Sequence, residues 1–163
     1  MTTPFQHNPI MIESLSAQRV CCLRIISQTP ENDCTQMLHL WLSQQGVSRP
    51  VRTFGFDTET TPAEAQAGKR GYELWAVVPE GVGPSNGVTL RNFEGGVYAV
   101  MTLICPFTNP FEAIPEGWKF LHEWVISSGQ YQGGNHQWLE ELIETPGGND
   151  LKLYHPVVSR GSN

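Results

Sequence analysis

Apolar residues recur along this chain with two periods, near two and near 3.6, and the order of the two patterns repeats. From Gln18 to Ile26 strand formers dominate, and Cys21, Leu23 and Ile25 make one apolar face, which predicts a strand. Thr29-Pro30 then offers an N-cap with proline at the first helical position. Cys34, Met37, Leu38, Trp41 and Gln45 follow at helical spacing until Gly46 closes the run. Two further strands fit Val51–Phe56 and Tyr72–Val78, separated by the polar stretch TETTPAEAQAGKRG. The second half runs in the same order. Val97, Ala99, Met101 and Leu103 mark a strand over Val97–Ile104, and Ile114, Trp118, Leu121 and Val125 line one face of a helix ending near Gly129. Strands near Gln137–Glu144 and Leu151–His155, joined by TPGGND, close the series.

The helix signals begin at Glu31 and Glu112, and the closing strands end at Pro79 and Pro156, an offset of about 80 residues. The reading is an α+β fold in which a βαββ unit occurs twice, over about 12–80 and about 88–158. Two helices cover only one face of an antiparallel sheet, so the other face is where a ligand pocket is expected. In Tyr72–Val78 the even positions Leu74, Ala76 and Val78 suit the helix side, leaving Glu73, Trp75 and Val77 opposite. In Val97–Ile104 the residues left opposite are Tyr98, Val100 and Thr102. The strand Gln137–Glu144 is ambiguous, since Leu139, Glu141 and Ile143 compete with Trp138, Glu140, Leu142 and Glu144.

The length of 163 residues with 39% hydrophobic composition suits one domain spanning 1–163 with a packed core. The formal charge is −6 and no more than two basic residues are adjacent, so no basic stripe is available for direct nucleic-acid binding. The N-terminus lacks a signal-peptide pattern and no apolar run approaches the roughly 20 residues of a membrane span, so a cytoplasmic location without membrane contact is expected. Cys21, Cys22, Cys34 and Cys105 contain no CxxC pair and read as reduced core thiols. The five histidines fit no metal motif, although His136 and His155 could face each other across the last hairpin. The pairs Gly95-Gly96, Gly133-Gly134 and Gly147-Gly148 read as turn residues, and no phosphate or dinucleotide loop is present. No cofactor and no catalytic residue is expected.

What stands out is aromatic and acidic. Two of the five tryptophans, Trp75 and Trp138, share strand parity with a carboxylate, Glu73 and Glu140. An aromatic wall beside a carboxylate suits a flat or cationic organic ligand.

The segments GYELWAVVPEGV (71–82), FEGGVYAVM (93–101), GWKFLHEWVISSGQ (117–130) and WLEELIETP (138–146) resemble, in order and spacing, the GyrI-like small-molecule-binding family. This is the effector-binding domain of AraC-type and MerR-type multidrug regulators, and the resemblance runs from about Ile12 to Val158. It implies a duplicated βαββ fold with a pseudo-two-fold axis and a pocket for hydrophobic, often cationic, aromatic compounds. The family's pocket glutamate, six residues before a proline, falls on Glu140 ahead of Pro146. Its tyrosine two positions on is replaced by Leu142. By resemblance Tyr72 and Trp75 join the pocket wall with Trp138 beside Glu140, and Tyr98 is a further candidate on the same face. Should Glu140 point to solvent, Glu141 or Glu73 takes its place. About 16 residues precede the first strand, too few for a helix-turn-helix, so a freestanding effector-binding domain is expected. Its principal reading is sensing or sequestration of a small ligand. The alternatives are a hydrolase of strained molecules, or an inhibitor docking on a large enzyme such as gyrase, the protein partner being unknown.

Overall fold

A computed structural model describes residues 5–48 and 51–161. Its strands are β1 (Gln6–His7), β2 (Met11–Leu15), β3 (Gln18–Ser27), β4 (Thr53–Thr58), β5 (Arg70–Val77), β6 (Thr89–Phe93), β7 (Gly96–Ile104), β8 (Tyr131–Gly133), β9 (Leu139–Thr145) and β10 (Gly148–Ser159). Helix α1 (Pro30–Gln44) follows β3, the short α2 (Pro62–Gln66) follows β4, and α3 (Pro110–Ser127) follows β7 through a 3-10 turn. The fold is α+β with antiparallel pairing.

By its contacts the chain divides into two compact units. Ala17–Glu94 forms one, and the N-terminal segment through Ser16 with the chain from Gly95 onward forms the other. Each unit contains one β-α-β-β run in the same strand order. In the Ala17–Glu94 unit β5 is flanked by β3 and β4; in its counterpart β10 is flanked by β7 and β9. Such a run leaves the outer edge of its first strand with unpaired backbone N–H and C=O groups. Strand β6 completes that edge on β3, and β2 completes it on β7. Neither β2 nor β6 carries an apolar alternation strong enough to predict it.

Helix α1 begins with Pro30 at its first position, as expected, but the Thr29 side chain makes no cap bond to the backbone. Instead the Ser27 and Thr29 hydroxyls both donate to Asp33, at 2.6 and 3.3 Å. Gly46, at φ +74°, ends the helix in the left-handed conformation that glycine tolerates. Cys34, Leu38, Trp41 and Leu42 of α1 pack against Cys21 and Leu23 of β3 and Tyr72, Leu74 and Ala76 of β5. On the other unit Leu121 and Val125 of α3 pack against Ala99, Met101 and Leu103 of β7 and Leu151 and Leu153 of β10. The helix approaches β7 closely at Gly117, where a Cβ would meet the Leu103 side chain at 2.8 Å. Helix α2 lies in the polar stretch that separates the two strands. Thr61 and Glu64 form a reciprocal capping box there, a signal legible as T-x-x-E after the fact.

The thiols divide. Cys21, Cys22 and Cys34 are buried, and burial pushes Cys22 up to about 12 and Cys34 up to about 11. Cys105 is exposed, against the expectation of a fourth core thiol, because it sits at φ +46° in the turn after β7. Counted with a thiol reagent, the native protein should release one equivalent quickly and three more only on unfolding; fast reaction of two or more would contradict this burial. Leu121 is fully buried, so Leu121→Ala should cost about 2 to 5 kcal/mol in denaturant unfolding. A loss below about 1 kcal/mol would remove Leu121 from the core.

Candidate functional site

In antiparallel pairs directly opposed residues point to the same face, so register decides which side chains meet. On the Ala17–Glu94 unit the rows Cys22↔Trp75↔Phe54 and Arg24↔Glu73↔Phe56 lie on the face away from α1. The Trp75 ring stands 5.2 Å from Phe56 and 5.4 Å from Phe93, centroid to centroid. Its indole N–H donates to Glu73 Oε2 at 2.6 Å. The guanidinium of Arg91 lies 5.6 Å above the ring. Glu73 and Trp75 therefore share a face, as their parity predicts.

Tyr72 does not join them. It occupies the α1 side of β5, where its ring crosses Gly55 and its hydroxyl fills the space a Cβ at that glycine would need. Placing Tyr72 beside Trp75 conflicts with strand alternation, which sends residues three apart to opposite faces.

On the second unit the face away from α3 carries Tyr98 of β7, Tyr154 of β10 and Leu139 and Glu141 of β9, by the rows Tyr98↔Pro156 and Tyr154↔Leu139. The Tyr98 and Tyr154 rings meet edge to face at 5.6 Å, and both are fully buried. Tyr98 donates to the carbonyl of Gln137 at 2.6 Å, and burial pushes its hydroxyl well above the usual phenol range. Tyr154 donates to Glu141 Oε1, also at 2.6 Å, and Glu141 is buried. Lys152 lies 5.3 Å above the Tyr154 ring and pairs with Glu13 of β2 at 3.2 Å.

Glu140 and Trp138 are placed otherwise than the sequence reading has them. Glu140 stands opposite Leu153, a member of the α3 core, so it belongs to the helix side of β9. Trp138 packs with Trp118 and His122 of α3 and lies 4.1 Å from His155. The two apolar parities of β9 are nearly balanced, and the register with β10 selects Glu141 as the carboxylate sharing a face with Tyr98.

The histidines form a second feature. His155 faces His122, not His136: Nδ1 of His122 is 2.9 Å from Nε2 of His155, with the rings stacked. His155 Nδ1 lies 2.8 Å from the Pro156 carbonyl and must donate to it, so Nε2 of the neutral ring accepts from His122 Nδ1–H. His136 bonds the Val97 carbonyl at 2.7 Å, and its ring occupies the space beside Gly96 and Gly134. Those two glycines make room for an imidazole beyond any turn they serve.

Among the described residues, concavities occur in the Ala17–Glu94 unit. One of about 770 Å³ is bounded by Gly46, Val47, Val78 and Glu80, and one of about 130 Å³ lies between α1 and Val88. Neither is lined by Tyr72, Glu73, Trp75, Tyr98, Trp138 or Glu140. Among the described residues no group of three or more His, Cys, Asp or Glu could hold a metal ion, and no helix is long and apolar enough to cross a membrane.

Burial holds the pKa of His155 below the usual imidazole value, with His122 and His136 adding to the shift and the Pro156 carbonyl opposing it. A depressed folded pKa means that the unfolded chain takes up the proton first. Stability contributed by neutral His155 is then complete above about pH 6.5 and declines as pH falls from there towards the folded value. His155→Gln should flatten the melting-temperature profile between pH 8 and 5.5 relative to wild type; an unchanged slope would assign the titration elsewhere.

A family model described as integron-associated effector-binding protein matches residues 11–157. Among solved structures the fold is similar to the EcmrR C-terminal domain, at 11% identity and TM-score 0.67 over 97% of this chain and 100% of that one. It is similar also to EcmrR in a DNA complex (13%, 0.66), where it covers 93% of this chain and spans 57% of the EcmrR chain. A third likeness is to a hydrolase from Listeria innocua, 14% identical, TM-score 0.60, covering 91% of each chain. At these identities the likenesses establish the fold. The comparison with curated proteins finds no match.

Proposed function

Because the chain belongs to the family of integron-associated effector-binding proteins, we propose that it binds a hydrophobic aromatic molecule bearing a cationic group, on the sheet faces its helices leave open. The observation that carries this reading is the Glu141 carboxylate, buried beside Tyr154 and Tyr98. A carboxylate held among aromatic rings, with Lys152 directly across the strand pair from it, offers a cation of matching shape both charge and ring contact. Glu141, beside Tyr98 on its own unit, takes the role that the sequence assigns to Glu140; Tyr72 serves the α1-side core, and Trp138, partly exposed, packs against Trp118 and His122. Sensing or sequestration then follows from occupancy, with no bond made or broken.

A second reading, as a hydrolase, draws support from one contact. The tyrosine absent at Leu142 has a counterpart in Tyr154, whose hydroxyl bonds the Glu141 carboxylate. That pair has the composition of an acid-base couple.

Calorimetric titration with N,N,N-trimethyl-1-naphthylammonium and its neutral isostere 1-tert-butylnaphthalene tests the first reading. Glu141→Gln preserves volume and removes charge, so it should cost the cation about 1 to 3 kcal/mol and leave the neutral compound nearly unchanged. Equal losses for both would reduce Glu141 to a packing role.

A further inference from the structure

As folded, the site around Glu141 is shut. Tyr98 and Tyr154 are fully buried, Glu141 is buried with them, and neither concavity is lined by any of the three. A ligand reaches them only if a neighbouring part of the chain moves aside. Their own strands cannot supply that motion. Strand β10 pairs with β7 over 151–156 and with β9 over 148–154, and parting them would open the core beneath.

Residues 134–138, which join β8 to β9, lie in no strand or helix. They pass over Tyr98. The His136 ring meets the Tyr98 ring edge to face at 4.8 Å, and the Gln137 carbonyl accepts the Tyr98 hydroxyl at 2.6 Å. Two further bonds fasten the connection: the Gly134 N–H donates to the Pro156 carbonyl at 3.0 Å, and His136 Nε2 donates to the Val97 carbonyl at 2.7 Å. The far end is anchored on the helix side, where Trp138 packs against Trp118 and His155. At the near end Gly133 and Gly134 leave the backbone free to turn.

The His136 attachment has a socket built for it. A Cβ at Gly96 of β7, or at Gly134 of the connection itself, would stand 2.6 Å from the imidazole, so the ring seats only because both positions are glycine. Release of the connection exchanges a few hydrogen bonds with water and breaks no strand pairing, which places it at the low-energy end of local openings.

We propose that residues 134–138 are a strap over the ligand site, latched by His136 in the socket between Gly96 and Gly134, and that its release admits a ligand to Tyr98, Tyr154 and Glu141. What passes the strap rests on the proposed function; the opening itself belongs to the free protein.

The test uses the full chain as wild type, His136→Ala, Gly134→Ala and the double variant. Without ligand, hydrogen exchange read by mass spectrometry should quicken about three- to tenfold over 134–138 in His136→Ala, which removes the ring, and in Gly134→Ala, which displaces it. Exchange in β7 and β10 should not change, and the double variant should go no faster than His136→Ala, since its added Cβ has no ring to displace. Unchanged exchange over 134–138, or acceleration of β7 and β10 with it, would overturn the strap. In stopped-flow mixing with N,N,N-trimethyl-1-naphthylammonium, the association rate should rise by a similar factor in His136→Ala, because a larger fraction of the protein is open. Faster exchange with an unchanged association rate would overturn the gating role and leave the proposed function standing. No binding by wild type or by the unlatched variants would overturn the proposed function, and the exchange pattern alone would then uphold or overturn the strap.

Discussion

Everything chemical in this molecule depends on the alternation of side chains along two strands, β5 and β10. Each is hydrogen-bonded on both edges, so neither can slip by one residue without sending a helix-packed row to the opposite face. On β5 that row is Tyr72, Leu74 and Ala76; on β10 it includes Leu151 and Leu153. Burial of these rows against α1 and α3 fixes the register, and the register dictates what the other face presents. Glu73 and Trp75 on one strand and Lys152 and Tyr154 on the other are consequences of core packing several ångströms away.

This explains which parts of the fold were legible. The β-α-β-β repeat was readable because Cys21, Leu23 and Ile25, and later Ala99, Met101 and Leu103, are unambiguous apolar rows on the first strands, and Gly46 and Gly129 end the helices at φ +74°. The edge strands β2 and β6 were not, since they are short and complete a partner distant in sequence. The sorting of Glu140 from Glu141 was also beyond periodicity. Leu139 and Ile143 argue for one parity, Trp138 and Leu142 for the other, and only pairing with Leu153 and Tyr154 separates them. Tyr72 is a different case: its parity with Leu74 places it on the α1 side, against what the family resemblance implies.

The open faces of the two units solve one problem in different ways. Each places a cation from the chain on its principal aromatic ring, Arg91 on Trp75 and Lys152 on Tyr154. Such a contact contributes about 0.5 to 1 kcal/mol at an exposed site, enough to position a side chain but too little to hold it against a better partner. Lys152 is held further by Glu13, whereas among the described residues no acid lies within ion-pair distance of Arg91.

The carboxylates complete the contrast. Glu141 is buried, accepts from a phenol and stands directly opposite Lys152, which lies above Tyr154. Glu73 accepts from an indole and remains half-buried, with Arg24 opposite it across the strand pair. Lys152 is answered by Glu13, and Glu73 by the Trp75 indole, so the two faces settle their charges with different partners. The same duplicated backbone thus carries two faces with different charged side chains, and the difference resides in positions that the shared register leaves free to vary.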